Sequence, residues 1–182
     1  LTHMHGDHIG GLIREGQRAF PRARLMVSKA ESDYWNSDIE MNKRPENQRN
    51  SFIQVRKVLE AYKNDVIIFI PADITQLPDQ DGIHAVEAYG HTPGHTGFMI
   101  VSEGSRVLVW GDLTHVTPIQ MPHPEIAVTY DINPEHAVRA RLKILEYVSG
   151  HQIPIGGMHI AWPGIGNVIK NDKQGYIFSP AE

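Results

Sequence analysis

The chain has no cysteine, which excludes disulfides and thiolate metal ligands without naming a compartment. No run approaches the ~20 apolar residues of a membrane span, and no secretory signal is visible. A basic footprint is missing too: 17 Lys and Arg stand against 21 Asp and Glu, for a net charge of -4. Nucleic acid and an anionic membrane are therefore poor partners, and nuclease chemistry is the least supported reading. Internal repeats and low-complexity tracts are lacking. With 182 residues, 41% of them hydrophobic, the chain fits a single domain, 1–182, with a sizeable core and no visible internal boundary. The chain opens on Leu1, not Met, with no strand ahead of its densest motif. The expectation is that sequence is missing upstream and that any targeting signal lies there, which leaves a soluble chain either cytoplasmic or exported.

That motif is His3-Met4-His5-Gly6-Asp7-His8. Three imidazoles and a carboxylate within six positions are hard to explain by packing, because Asp and His are costly to bury without partners. The economical partner is a metal. In an extended chain, side chains two apart share a face, so His3 and His5 can reach one ion. Asp7 and His8 lie past the turn at Gly6 and can serve a second. Imidazole and carboxylate without thiol suit zinc first, with Mn, Fe, Co or Ni as alternatives.

Periodicity sketches the remaining elements. Ile9 to Phe20 reads as a short helix ended by Pro21, and Arg24 to Val27 as a strand. Ser28 with Glu31 has capping-box spacing for a helix through Trp35. Asn36 to Asn50 reads as a loop, Ser51 to Asn64 as an amphipathic helix and Val66 to Ile70 as a buried strand. A Pro- and Asp-rich connection, Pro71 to Gly82, precedes strands at His84 to Tyr89, Gly97 to Ser102 and Arg106 to Trp110. Asn133-Pro134-Glu135 caps a helix that runs on Val138, Leu142, Leu145 and Val148 to Gly150. Ile153 to His159 is a last strand, and Pro163 to Glu182 a turn-rich tail.

Further metal-capable residues stand at strand ends. Gly90-His91-Thr92-Pro93-Gly94-His95-Thr96-Gly97 places two histidines in a rigid turn between strands. One of them can be a ligand, and the residues alone do not choose between His91 and His95. Asp112 ends the strand Arg106 to Trp110, where its two oxygens can bridge two ions. His159 follows Ile153 to Gly157 in the same manner. His115, three residues past Asp112, suits either a pocket wall or a structural role. His84, His123, His136 and His151 read as solvated or structural.

These motifs, in this order, resemble the metallo-β-lactamase fold hydrolases, and within them the methyl parathion hydrolase-like branch. The branch similarity is carried by Ala30-Glu31-Ser32-Asp33-Tyr34-Trp35, Trp110-Gly111-Asp112-Leu113-Thr114-His115-Val116 and Met158-His159-Ile160-Ala161-Trp162-Pro163-Gly164-Ile165-Gly166, and it covers nearly all of the chain. The resemblance implies an α+β fold, a four-layer αββα sandwich whose first layer is cut short at the N-terminus. It implies that His3, His5 and His95 hold one metal, that Asp7, His8 and His159 hold another, and that Asp112 bridges both. His91 is left as a support for a ligand or as a turn hydrogen bonder. By the same resemblance, Trp35 and Phe52 line a substrate pocket, although core packing is the usual reason for an aromatic on an amphipathic segment.

The expected function is a dinuclear metal-dependent hydrolase acting through a metal-bridging hydroxide on an ester, lactone or organophosphate-like small molecule. Seven ligands carrying two negative charges against four positive ones favour hydroxide and polarise a carbonyl or phosphoryl oxygen. Asp7 and Asp112 are the carboxylates placed in the catalytic machinery. A thioesterase of the glyoxalase II kind shares every ligand, and a non-catalytic metal-binding fragment is the other alternative. A di-iron redox protein is disfavoured because the chain has no room for a flavin domain. The exposed sheet edge leaves homo-oligomerisation open.

Overall fold

In the computed structural model, which describes residues 1–76, 82–171 and 173–181, backbone turn chemistry at Glu15-Gly16 settles the first departure from the periodic pattern. Glu15 has φ 52° and Gly16 φ 77°, a two-residue turn of the kind that joins twisted antiparallel strands. It connects β1 (Ile13–Arg14) to β2 (Gln17–Arg18), paired Ile13↔Arg18 and Arg14↔Gln17. The helix expected over Ile9 to Phe20 is thus confined to one turn, α1 (Gly6–Ile9), ahead of Gly10-Gly11. Two adjacent glycines cost a helix about 1 kcal/mol each.

The chain divides into two compact units, Leu1–Ile70 and Pro71–Glu182. In the first, β3 (Leu25–Ser28) pairs in parallel with β4 (Val66–Phe69), from Leu25↔Val66 to Ser28↔Phe69. The Ser28 hydroxyl accepts the Glu31 N–H and starts α2 (Lys29–Asn36), as the capping spacing predicts. The expected loop Asn36 to Asn50 instead contains α3 (Asp38–Asn42) and the first turn of α4 (Glu46–Ala61). Ser37 caps the Glu40 N–H, a second use of the Ser-x-x-Glu spacing in a stretch whose polarity hides it. Helix α4 buries Phe52, Val55 and Val58, with Tyr62 just beyond its end. Phe52 lies 4.7 Å from Trp35 and 5.2 Å from Tyr34, between ring centroids.

The second unit is built on a six-stranded sheet in the order β10-β9-β8-β7-β6-β5. Its strands are β5 (Gly82–Glu87), β6 (Thr96–Ser102), β7 (Ser105–Val109), β8 (Ile155–Gly156), β9 (Ile165–Lys170) and β10 (Tyr176–Pro180). The expected tail Pro163 to Glu182 thus forms the β9–β10 hairpin, up to the last described residue. The expected connection Pro71 to Gly82 falls partly outside the described residues. Among the described strands of this sheet only the β7–β8 pair is parallel, Leu108↔Ile155 and Val109↔Gly156; the crossover between them holds α5 (Thr117–Gln120) and α6 (Pro134–Gly150).

Helix α6 buries Ala137, Arg141, Ile144, Leu145 and Val148. These are one face at helical spacing, turned slightly from the face expected from Val138 and Leu142, and Leu142 is 40% exposed. The face packs on Val86, Met99, Leu108, Trp110 and Ile155, each contributing about 1.5–3 kcal/mol by burial. Arginine is the one ionised residue on that face.

Gly90 joins this core to the loop that carries His91 and His95. Its φ is 133°, and an added Cβ would fall inside the backbone of His136 and Ala137. Gly90→Ala should therefore cost about 3 kcal/mol. Gly104→Ala, at φ 79° with open space around it, should cost about 1 kcal/mol. Urea midpoints of the two variants check the difference, and equal losses would refute the packing argument.

Candidate metal centre

In the first unit the motif expected to bind metal brings its own residues together. His3 is fully buried, and its Nε2 lies 3.2 Å from His5 Nδ1. The His3 and His8 ring centroids are 4.0 Å apart, and His8 Nε2 is 3.6 Å from Asp7 Oδ2. The strand-like start is held by a residue that sequence reasoning used only as a cap. Glu31, 1% exposed, accepts the Met4 N–H at 2.8 Å and the Trp35 indole N–H at 2.7 Å. One carboxylate thereby fixes the backbone between His3 and His5 and the indole that meets His5 edge-on at 5.9 Å.

In the second unit the parallel pair β7–β8 sets the geometry. Asp112 lies three residues past Val109 and His159 three past Gly156, and Val109 and Gly156 are register partners. Equal offsets from a paired position carry the two side chains to one place. Gly111, at φ 60°, turns the chain after β7, and His159 itself adopts φ 58°. Gly157 lets the strands close: a Cβ there would collide with the Trp110 indole.

Three imidazoles converge on the buried carboxylate. Asp112 Oδ2 lies 3.2 Å from His159 Nε2, 3.2 Å from His115 Nε2 and 3.4 Å from His91 Nε2. The His115 and His159 rings stack at 5.1 Å. His115 Nδ1 is buried without a hydrogen-bond partner among the described residues, and its Nε2 faces Asp112. Gln120 accepts the His115 and Val116 N–H groups with one oxygen and fixes that loop.

His91 and His95 part ways. His95 Nδ1 donates to the Ala88 carbonyl at 2.9 Å, and its Nε2 accepts the Asp112 N–H at 3.0 Å. Both of its ring nitrogens are thus turned to backbone. His91 has its Nε2 toward Asp112 and its Nδ1 3.0 Å from Asp131 Oδ1. The geometry thus favours His91 for the ligand role that the resemblance gave to His95.

Asp131 and Arg141 were not found from the sequence, because a buried arginine on an apolar helix face leaves no periodic mark. Arg141 is 1% exposed. It donates to the carbonyls of Leu113, Pro124 and Ile126 at 2.8–2.9 Å and lies 3.6 Å from Asp131 Oδ2. Burial alone would raise the Asp131 carboxyl. The His91 hydrogen bond, the Val128 N–H and the His91 and Arg141 charges outweigh it, so the carboxyl sits below its usual range. Burial likewise opposes charge on His91, but the hydrogen bonds and fields of Asp112 and Asp131 prevail and raise its pKa.

Trp35 and Phe52 are 3% and 2% exposed and pack on one another at 4.7 Å, with the Trp35 ring 5.9 Å from His5. His123 pairs with Glu125, and His151 Nδ1 donates to the Tyr147 carbonyl, in keeping with surface roles. The donor sets suit divalent ions: imidazole nitrogens and carboxylate oxygens, one carboxylate buried beneath three rings, and no thiol.

Residues 1–151 match the family described as the metallo-beta-lactamase superfamily. Among solved structures, the hydrolase AbOPH of the beta lactamase superfamily is 30% identical with a TM-score of 0.86. AidC, a dizinc quorum-quenching lactonase solved with a product bound, is 27% identical with a TM-score of 0.87. Each comparison covers 100% of this chain and 63% of the neighbour. The uncharacterized protein YobT of Bacillus subtilis (strain 168) is 28% identical over 120 residues, 62% of this chain and 43% of that protein. The chain thus spans less than two thirds of the length of these relatives.

Two measurements test the buried network. Replacing Arg141 by Met strands three carbonyls and leaves Asp131 charged in the core, and should cost about 3–5 kcal/mol in urea unfolding. A loss under about 1 kcal/mol would show the network to be dispensable. Because His91 is raised in the folded state, its stabilising effect in the chelator-treated chain is full below about pH 6.5 and fades as pH rises through the folded value. Asp131, being lowered, acts oppositely: its contribution is present above about pH 4 and fades as pH falls through its folded value. Melting temperatures in EDTA across pH 5–9 should decline on the alkaline side, and His91→Gln should flatten that decline.

Proposed function

We propose that this chain, which belongs to the metallo-beta-lactamase superfamily, carries the ligand set of a hydrolase that uses two divalent ions, zinc first among them, to open a lactone or a related uncharged ester. The observation that carries the reading is the buried Asp112 carboxylate with His91, His115 and His159 ranged about one of its oxygens. A carboxylate so enclosed has the bridging chemistry that two cations require. In this reading the candidate cation ligands would be His3, His5, Asp7 and His8 in the first unit and His91, Asp112 and His159 in the second. His95 supports Asp112 through its backbone contact.

Divalent ions held there would supply Lewis-acid chemistry, activating water at neutral pH and polarising a carbonyl. The chain's own residues do the rest. Glu31 and Gln120 fix the backbone on which His5 and His115 stand, so the donors are placed before substrate arrives. His115 Nε2 stands 3.2 Å from the Asp112 carboxylate and walls that side of it. Asp7, 59% exposed in its side chain, can also hold a water or pass a proton outward.

The lactone preference is supported by AidC; further neighbours solved as N-acyl homoserine lactone hydrolases are 21–22% identical and speak to the fold alone. A thioesterase shares every ligand. A metal-binding module without turnover is the competing class.

Elemental analysis of the zinc-supplemented chain should find about two ions per protomer. Turnover should appear on a panel of N-hexanoyl homoserine lactone, a p-nitrophenyl ester, a thioester and a phosphotriester. Asp112→Ala should lower it at least about 10²–10³-fold. Metal without turnover on any substrate would establish the module reading, and absence of bound metal would sink both.

A further inference from the structure

We propose that Asp131 is a positioning residue that holds His91 in the Nδ1–H tautomer and so aims its Nε2 lone pair at the metal side of Asp112. The inference rests on the metal-centre reading above and adds to it a residue from outside the ligand motifs. A neutral imidazole donates through one nitrogen and accepts through the other, and the partner of one decides what the other can do. His91 Nδ1 faces Asp131 Oδ1 at 3.0 Å, in a pair whose side chains are 3% and 0% exposed. An ionised carboxylate accepts only, so Nδ1 must carry the proton and Nε2 must be bare in the neutral ring. The bare nitrogen is the one beside Asp112 Oδ2.

Asp131 is itself held from three directions. Its second oxygen accepts the Val128 N–H at 3.1 Å and lies 3.6 Å from the Arg141 guanidinium. The residues that follow it clamp the backbone at His91, with Ile132 N–H on the His91 carbonyl at 3.0 Å and Asn133 N–H on the Gly90 carbonyl at 2.9 Å. The loop thus fixes the backbone position, ring orientation and tautomer of one histidine. Arg141 extends the fixation to the neighbouring strand end through the Leu113 carbonyl, the residue after Asp112. His91, His115 and Asp131 also have donor atoms within 4.8 Å of one another. The guanidinium beside Asp131 repels a cation there, and the Asp131 oxygen is engaged by His91 Nδ1. Those three therefore form a support and not a third metal site.

The same network separates the roles of two similar rings. Behind His91 stands the Asp131 carboxylate, whereas His115 Nδ1 has no hydrogen-bond partner among the described residues.

The test uses the zinc-loaded chain labelled with 15N in its histidines. Long-range proton–nitrogen spectra, assigned by comparison with His91→Gln, should show His91 protonated at Nδ1 and unprotonated at Nε2. A His91 ring protonated at Nε2 in wild type overturns the proposal without recourse to any variant. In Asp131→Ala the zinc Kd, measured by competition with a chromophoric chelator, should rise about 10–100-fold, with His91 losing its single tautomer in the metal-free spectrum. An unchanged Kd, or an intact Nδ1–H tautomer in that variant, overturns it equally. Asp112→Ala is run in parallel: if it too leaves zinc affinity untouched, the metal-centre reading itself has failed, and not the role of Asp131 alone.

Discussion

A carboxylate almost wholly out of water needs charge or donors around it, and the arrangement of the second unit follows from meeting that need at Asp112. Moving an ionised carboxylate into the interior costs several kcal/mol even after relaxation. Among the described residues the Nε2 atoms of His91, His115 and His159 each lie within 3.4 Å of one oxygen, and the pair with His159 is a hydrogen bond. The three rings arrive from three separate loops. The parallel register of β7 and β8 places the ends that carry Asp112 and His159, and the loop between β5 and β6 brings His91. A strand slip of one residue would send either side chain to the opposite face. The two-residue pairing of β8, its Gly157 pressed on Trp110, is short but sharply specified.

A second buried charge makes that placement stiff. Arg141 stands where an amphipathic helix would ordinarily bury an aliphatic residue, and replacing a buried ion pair by apolar groups is often neutral or stabilising. Its retention is therefore poorly explained by stability alone. The guanidinium supplies donors to three loop carbonyls and a charge to Asp131, a combination no aliphatic residue supplies. Helix α6 is rigid, capped by Asn133 and packed along the sheet. A donor rooted in it transmits that rigidity to loops with few regular hydrogen bonds of their own.

Legibility in the sequence tracked the range of the interaction. Local chemistry was readable: the Ser28–Glu31 cap, the Asn133-Pro134 helix start, the β6–β7 hairpin and the clustering of His3, His5, Asp7 and His8. Errors were local as well where two signals competed. Ile9, Leu12, Ile13 and Phe20 have helical spacing, yet Gly10-Gly11 and the positive φ at Glu15 and Gly16 give a hairpin. The signal for α3, a Ser37–Glu40 cap, lay in a stretch too polar to suggest a helix. What could not be read was anything decided across the fold. His91 and His95 are four residues apart in one turn, and only their partners, Asp131 at a distance of 40 residues for one and the Ala88 carbonyl for the other, tell them apart. Aromatic positions at Trp35 and Phe52 likewise look the same in sequence whether they line a cavity or pack behind a ligand.

The two kinds of support also suggest why the ligand-bearing segments tolerate unfavourable backbone. His159 occupies the left-handed region at φ 58°, a conformation costing a non-glycine residue roughly 1–2 kcal/mol. Such a cost persists only where surrounding contacts over-determine the residue. Here they do: the Met158 N–H bonds the Gly111 carbonyl, the His159 ring stacks on His115, and Nε2 meets Asp112. Relaxing the backbone would break these contacts together, so the strain at His159 is held by the packing and hydrogen bonding of its neighbours. Affinity for a cation depends on donors already standing where the ion requires them, because every donor ordered on binding subtracts its conformational entropy from the gain. Glu31, Gln120, Asp131 and Arg141 do that ordering during folding. None of the four belongs to a ligand motif, yet they hold the backbone or the ring of the residues proposed to act at the centre.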